Sequence, residues 1–525
     1  MSSNRPRRPE SGNQSGRQYS HRSGRQSGHG RSDRRQKPAD AARLVAAKAL
    51  VAVDVDDQFA NLVLPKMLRE EQTANPRFTR QDAAFASELV YGTTRRQGTL
   101  DWILQPHSTK PLADLDVSVR ACLRMGAYQI MYTRVADHAS VGETVTVARE
   151  LAGEGPSRFV NAVLRSVLRE GPDAMRERME TIPDEGKRLG IEHSHPQWIV
   201  EAVGEALEAR NFYGEHLERA LEANNVAADV TLAARPSEIS TKDLAEEAED
   251  ILGRATRQGT LSPYAVVLEG GVPGALPSIR DGSAGVQDEG SQLAAFLLAN
   301  APLEGQAQES DTQWLDLCAG PGGKAALLAS IGKDRGVELT ANEVSPRRAK
   351  LLERSVQALD NVQVTVADGR KYRGKDRFSR VLVDAPCLGL GSLRRRPESR
   401  WRHLPSDLEE LVPLQQQLLR AAVDVTQSGG VIAWVTCSPH VRETLEQVAT
   451  ALMLEPVELI DAAALAQELI PGGIDLGDPG PDSDVVGTLD YIAARTVQLW
   501  PHIHGTDAMF IALLRKMPAR TPDDH

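Results

Sequence analysis

Cysteine is scarce in this chain. Cys122, Cys318, Cys387 and Cys437 are the four among 525 residues, and no two of them stand in CxxC spacing. Neither a disulfide framework nor a zinc ribbon can be built from them, so a reducing, cytoplasmic setting is expected. No apolar run approaches the roughly 20 residues that span a bilayer, and no membrane helix is expected. The first residues lack the apolar core of a signal peptide. GxGxxG and Walker lysine motifs are missing too, which counts against a dinucleotide or ATP as ligand. What is present is an ordinary globular composition, 41% hydrophobic and 25% charged, in a chain long enough for about two to four domains.

Net charge is −11 but uneven. Residues 1–38 carry nine Arg and Lys37 against Glu10 and Asp33, a local +8 that leaves −19 for the rest. That segment is Ser, Gly, Arg, Gln and Asn with hardly an apolar residue, so a disordered basic tail is expected. A basic arm for RNA and a solubilising tail fit it equally. In the acidic remainder, attraction to phosphate must come from local basic patches.

The chain is organised around Trp314–Ser330, WLDLCAGPGGKAALLAS. An apolar run breaks into a loop with Gly320, Gly322 and Gly323, then restarts as an Ala/Leu helix. This is the strand, glycine turn and helix that open a nucleotide-binding α/β fold. Before it, residues 39–172 repeat apolar positions at i, i+3, i+4 and i+7 in AARLVAAKALVAV, VSVRACLRMGAYQIMY and RFVNAVLRSVLRE, the pattern of an all-helical domain. Cys122 sits on one of these stripes and is expected in the core. Residues 173–280 mix helices with the strands ADVTLAARP and YAVVLEG, as a small α/β connecting module. From 281 to 525, strands and helices alternate, which implies a mainly parallel sheet covered on both faces. A helix in GVQDEGSQLAAFLLA follows Asp288, with Ser291 as a further capping candidate.

Ligands in such sheets sit at the carboxyl ends of strands, and the polar candidates fall there. Glu343 follows the strand VELTAN, 20 residues past Gly323, where an acid can accept both hydroxyls of a ribose. Asp368 follows VTV and suits an adenine amino group. Together these describe an adenosine-containing cofactor. Asp384 and Cys387 in VDAPCLGLG, and Cys437 in VTCSP, each end an apolar strand. Both thiols are therefore expected at one cleft, although 50 positions separate them. A thiolate is suited to adding to an electron-poor ring, Pro386 stiffens the presenting loop, and Asp384 can hydrogen-bond a ring nitrogen and amino group. Spacing leaves open which cysteine attacks. Arg394, Arg395, Arg396, Arg400 and Arg402 follow at once and are expected to meet RNA phosphates, with Trp401 as a stacking surface. His502 and His504 resemble a metal pair without a third ligand and are assigned to structure; no metal is expected.

CAGPGGK, DAPCLGLGSLRRRPESRW and TCSPH, with VQDEGSQ and LWPHIHGTDAMFIALL, resemble the motifs of the RNA cytosine-C5 methyltransferases of the RsmB/Fmu/Sun family. LVYGTTRR, RMGAYQIMY and SRFVNAVLR resemble a NusB-like RNA-binding domain, which points to the branch that methylates 16S rRNA of the small subunit. The resemblance covers roughly residues 39–525. It implies a Rossmann-like class I domain that binds S-adenosylmethionine (SAM) through Cys318, Ala319, Gly320, Pro321, Gly322, Gly323 and Lys324. Glu343 would bind the ribose and Asp368 the adenine, with Asp384 between cofactor and base. Cys437 would attack carbon 6 of cytosine, and Cys387 would help release the product. DNA cytosine methyltransferases use a Pro-Cys nucleophile, which would instead favour Cys387. Two departures stand out: Gly320 replaces a frequent alanine, and Glu343 a common aspartate. The implied partner is ribosomal RNA, and the chain is expected to be monomeric. Rival readings are a tRNA or DNA cytosine methyltransferase, and a non-catalytic RNA-binding assembly factor.

Overall fold

Side-chain caps set where the N-terminal helices begin. In the computed structural model, which describes residues 38–55, 58–478, 480, 481 and 483–518, Thr79 and Asp82 close a capping box at Arg80–Arg95. Asp116 accepts from the backbone of Ser118 and Val119 to open Val117–Tyr132. Such caps contribute about 1 kcal/mol each. Together with Ala41–Val55, Ala60–Ala74, Gln97–Leu104, Asp137–Ala152 and Glu154–Glu180, these helices turn apolar stripes onto one core that includes Leu89, Leu123, Met125 and Leu164. Cys122 is fully buried within it, and burial pushes its thiol up to about 12. The last helix passes the expected boundary at 172: it kinks at Gly171 (φ 73°), just before Pro172, and runs on to Glu180. The basic tail expected over 1–38 lies, except for Pro38, outside the described residues.

Three more helices lead to a small antiparallel sheet. Its strands are β1 (Val230–Ala234), β2 (Thr256–Gln258), β3 (Ala265–Leu268) and β4 (Ala284–Val286), in the order β2-β3-β1-β4. Helix Thr241–Leu252 packs Leu244 and Ala248 against Leu232, Val266 and Leu268. Since β4 pairs with β1 through Val286 opposite Leu232, this module ends beyond the expected boundary at 280.

A larger sheet frames the site. β5 (Gln313–Asp316), β6 (Glu338–Asn342), β7 (Val362–Thr365), β8 (Phe378–Asp384) and β9 (Thr426–Thr436) run parallel, in the order β7-β6-β5-β8-β9. β10 (Val457–Ile460), β11 (Val497–Gln498) and β12 (Phe510–Lys516) complete it, with β12 antiparallel between β9 and β10 and β11 paired to β12. Successive side chains of β8 point to opposite faces. Leu382 packs with Trp314, Leu293 and Leu328, whereas Val381 and Val383 pack with Leu315, Leu418 and Trp434. Both faces are thus buried, as a parallel sheet requires. The connections run one way from β5 to β6 and the other way to β8. The crevice at the carboxyl ends of β5 and β8 is therefore the topological switch point. Among the described residues, no helix is long and apolar enough to cross a membrane.

Candidate active site

The ends of β5 to β9 open into one cavity of about 600 Å³, lined by Cys318, Gly320, Pro321, Glu343, Asp368, Asp384, Cys387, Arg396 and Cys437 among others. That size suits a small-molecule site. The glycine loop is fitted to its place by backbone geometry. Gly322 has φ 113°, and a Cβ there would stand 2.6 Å from the Cβ of Ser355, so a side chain is strained and crowded at once. Asn342, which sequence patterning does not single out, ties three loops together. Its Nδ2 donates to the carbonyls of Leu317 and Ala367 at 3.0 Å, and its Oδ1 accepts from the Thr365 hydroxyl at 3.1 Å.

Glu343 is buried. Its Oε1 accepts from the Ser345 amide at 2.8 Å, and its Oε2 lies 3.5 Å from Arg348 Nε. Asp368 faces the cavity with its two oxygens held by Arg370, at 2.9 Å (Nε to Oδ1) and 2.7 Å (Nη2 to Oδ2). Each carboxylate oxygen still has a lone pair to offer.

Lys324, at the start of the helix Gly323–Lys333, does not point outward as a loop lysine. It is buried, and its Nζ donates to Asp384 Oδ2 at 2.9 Å. Burial opposes its charge, but Asp384, Cys437 and Asp316 outweigh that and hold the ammonium more firmly protonated than usual. Asp316 beneath it is fully buried, with no partner for Oδ2, and burial together with Asp384 pushes its carboxyl up to about 8.

The two thiols meet. Cys387 Sγ and Cys437 Sγ are 3.5 Å apart and unbonded. The hydrogen bond with Cys387 draws Cys437 below the usual thiol range against the effect of burial, with help from Lys324. Cys387 is driven up by that bond, by burial, and by the charges of Cys437 and Glu443. The pair is asymmetric: Cys437 is held below the usual thiol range and Cys387 well above it. Burial and Asp316 push Cys318 up as well, which leaves it a part of the loop.

Residues that sequence reasoning passes over hold the Cys387 loop. Glu443 Oε1 accepts from the Leu388 amide and from Gln415 Nε2, both at 3.0 Å, and Gln415 also donates to the Pro386 carbonyl at 2.9 Å. The Gly391 amide donates to the Cys437 carbonyl at 2.8 Å, and the Ala508 amide donates to the Gly391 carbonyl at 2.9 Å. Nothing local in the sequence announces these contacts, because each partner lies far along the chain.

The arginine run is corrected by the structure. Arg394 is buried, with Nε 2.9 Å from Asp507. Arg395 pairs with Asp288 at 2.7 Å and with Asp507 at 3.0 Å. Arg400 is fully buried and donates to the carbonyls of Arg95, Ser194 and Asn224 and to Asn225 Oδ1; burial pulls it down to about 9. Arg402 donates to the carbonyls of Val53 and Gln58. Four of the five thus hold partners within the protein, Arg394 and Arg400 buried and Arg395 and Arg402 half-buried, and Arg396 alone of the run is exposed. Trp401 packs against Gly98 rather than standing open as a stacking surface. The helix Glu289–Asn300 is capped by Asp288, while Ser291 accepts from Gln287 Nε2 inside it. His504 is fixed by the Trp500 amide at 2.9 Å and the Asp475 carbonyl at 2.7 Å, and His502 faces His216 at 3.3 Å.

Comparison with known proteins fits this geometry. Residues 303–515 match the family described as 16S rRNA methyltransferase RsmB/F, and residues 40–169 match the NusB family. The putative methyltransferase Rv1407 of Mycobacterium tuberculosis is 43% identical over 487 residues, covering 92% of this chain and 98% of its own. Ribosomal RNA small subunit methyltransferase B of Sodalis glossinidius is 31% identical, over 82% of this chain and 94% of its own. Among solved structures, PH0851 superposes with a TM-score of 0.72 over 92% of this chain and all of its own, at 20% identity, a likeness of fold. With these relatives matched over nearly their whole length, the chain belongs to the RsmB/F family of RNA methyltransferases, a NusB-like helical domain in front of a Rossmann-like catalytic one.

Proposed function

We propose that this protein transfers the methyl group of SAM to carbon 5 of a cytosine in small-subunit ribosomal RNA, through a covalent bond from Cys437 to carbon 6. The observation that carries this reading is the asymmetric thiol pair beside Lys324 and Asp384 at the switch point of the sheet. Cytosine is a poor nucleophile at carbon 5 until a nucleophile adds at carbon 6. A thiolate next to a buried ammonium is suited to that addition. Asp384, oriented by Lys324, would accept from the amino group of the base, and from its ring nitrogen once that nitrogen takes up a proton as carbon 6 is attacked, which selects cytosine and holds it in register. Cys387, 3.5 Å from the attacking sulfur, would, once it has given up its own proton, take the carbon-5 proton, so that the electron pair re-forms the carbon 5–carbon 6 double bond and expels Cys437 as a thiolate. The chemistry of the cavity wall suits the cofactor: the Glu343 carboxylate would accept the ribose hydroxyls, and Asp368, one strand further, the adenine amino group. SAM, when bound, supplies an electrophilic methyl group. The target base must be single-stranded or flipped out, at about a few kcal/mol. The NusB-like domain would supply further RNA contacts, and the names of the curated relatives support rRNA as substrate.

The test is covalent trapping. With SAM and 16S rRNA transcribed in vitro, Cys387→Ala should accumulate a protein–RNA adduct stable on a denaturing gel, and Cys437→Ala should form none. Adduct from the Cys437 variant would reassign the nucleophile to Cys387.

A further inference from the structure

Phe59 belongs to the helical domain, yet its ring stands in the wall of the active-site cavity. It is the residue just before the helix Ala60–Ala74, and the catalytic domain holds it there: the Ala60 amide donates to Glu398 Oε1 at 2.9 Å. The ring is half-buried, with the guanidinium carbons of Arg396 and Arg402 at 5.0 and 4.9 Å from its centroid. Phe59 also lines a second cavity of about 700 Å³, whose wall includes Leu62, Lys66, Met67 and Arg347. One aromatic ring therefore separates the chamber of Cys387 and Cys437 from a neighbouring chamber that carries two cations. On either side a large apolar side chain is left in solvent, Leu62 at 68% and Val344 at 63% exposure. Lys66 has a weak exposed partner, Glu70 at 3.9 Å, and Arg396 makes no ion pair among the described residues.

We infer that this is the subsite for the nucleotide next to the target cytosine: its base stacks on Phe59 and Arg396, and its phosphates run on past Arg347 and Lys66. The inference rests on the RNA methyltransferase reading and adds to it a named contact from the helical domain. Three physical points carry it. Stacking on an aromatic or guanidinium face binds single-stranded bases irrespective of sequence. A base turned out into the first chamber leaves its neighbour unstacked and in need of a surface at that mouth. Lys66 and Arg347 set two positive charges in the wall of the second chamber, where the strand leaving the first would pass.

The experiment is steady-state methylation of 16S rRNA transcribed in vitro by full-length Phe59→Leu and Phe59→Trp, with SAM affinity measured alongside. Leucine keeps the apolar bulk and removes the stacking face, so KM for RNA should rise about 5- to 150-fold; tryptophan should hold it within about 2-fold. SAM affinity and melting temperature should stay near those of the parent protein. Replacing Lys66 and Arg347 with Gln should lower the slope of log KM against log salt by about 1 to 2. An unchanged KM in Phe59→Leu overturns the inference, as does a rise matched by an equal loss of SAM affinity, since the ring then only shapes the cavity. A fluorescent single-stranded oligonucleotide separates the two claims. If the parent protein fails to methylate rRNA but Phe59→Leu still weakens the oligonucleotide, the catalytic reading falls and the stacking site stands.

Discussion

The two departures from the family pattern answer each other in the structure, and a double-mutant cycle can measure it. A Cβ built on Gly320 collides with Glu343 Oε2, lies 2.9 Å from its Cδ, and comes within 3.2 Å of Arg348 Nε. Glycine at 320 thus makes room for a carboxylate one methylene longer than the common aspartate. Alanine at 320 would move that carboxylate by roughly 1 Å to regain ordinary contact. The atoms that must yield are the far end of a side chain, so the fold should tolerate the change and the melting temperature should move little. The ligand contacts should not. Misaligning a charge-assisted hydrogen bond to the ribose costs about 1.5–3 kcal/mol, or about 10- to 150-fold in SAM affinity. Glu343→Asp alone draws the carboxylate back by about 1.5 Å and gives up the Ser345 amide, again weakening SAM. In Gly320→Ala/Glu343→Asp, the methyl occupies the space the shorter acid vacates, and affinity should return to within about 5-fold of the parent, a coupling of about 1–3 kcal/mol. Isothermal titration with SAM reads all four corners. Additive losses in the double variant would refute the reasoning.

Gly391→Ala puts a methyl against two backbone carbonyls, Ala508 and, at 2.9 Å, Cys437. Neither can retreat, so stability should fall by about 2 kcal/mol or more, and the covalent adduct should vanish in a variant that still binds SAM. Arg400→Met removes a buried guanidinium that serves three carbonyls and Asn225. The expected loss is about 3–5 kcal/mol by denaturant melting; a variant with unchanged stability and a reduced salt slope for RNA would return Arg400 to the phosphate-binding role. Asp316, pushed up to about 8, binds a proton in the folded state at pH values where the unfolded chain has lost it, so wild-type stability declines as pH rises from about 4 to 8. Asp316→Asn should therefore gain melting temperature over the parent as pH goes from 5 to 8, and a difference that is flat with pH would show that the carboxyl is not protonated there.

The catalytic half was legible in the sequence where local pattern and strand-end geometry coincide. Apolar runs that stop at Asp316, Asn342, Thr365, Asp384 and Thr436 mark the ends of β5 to β9, and a parallel sheet brings such ends to one edge whatever their spacing. That is why Glu343, Asp368, Asp384, Cys387 and Cys437 share a cavity. β10 leaves no such mark. VELI is four residues, its last three only partly buried, and it is a strand because Val457 to Ile460 pair with Lys516 to Leu513. Lys324 was visible as a residue but not as a partner of Asp384, because its direction is set by how the helix after the glycine loop meets β8. Glu443, Gln415 and Asn342 carry no periodic signal at all.

The arginine run shows most clearly where local reading stops. Five cations in nine residues, 394 to 402, look like an interface for phosphate because Glu398 is the single acid among them. The acids of Arg394 and Arg395 are Asp288 and Asp507, 106 and 113 positions from Arg394, and only the fold brings them near. An arginine left between two carboxylates that are themselves buried has more to gain inside than at a solvated phosphate, since the low dielectric strengthens the pairing and each unpaired charge would be costly. The same arrangement explains two motifs that are otherwise mute: VQDEGSQ supplies Asp288, HGTDAMF supplies Asp507, and both clamp the loop that begins at Cys387. At the other end of that loop, Glu398, Arg400 and Arg402 bind backbone of the helical domain. The segment is therefore a fixed strut between the NusB-like domain and the thiol pair. What these cations provide is a constant position for Cys387 against Cys437, and of the run only Arg396 is left exposed.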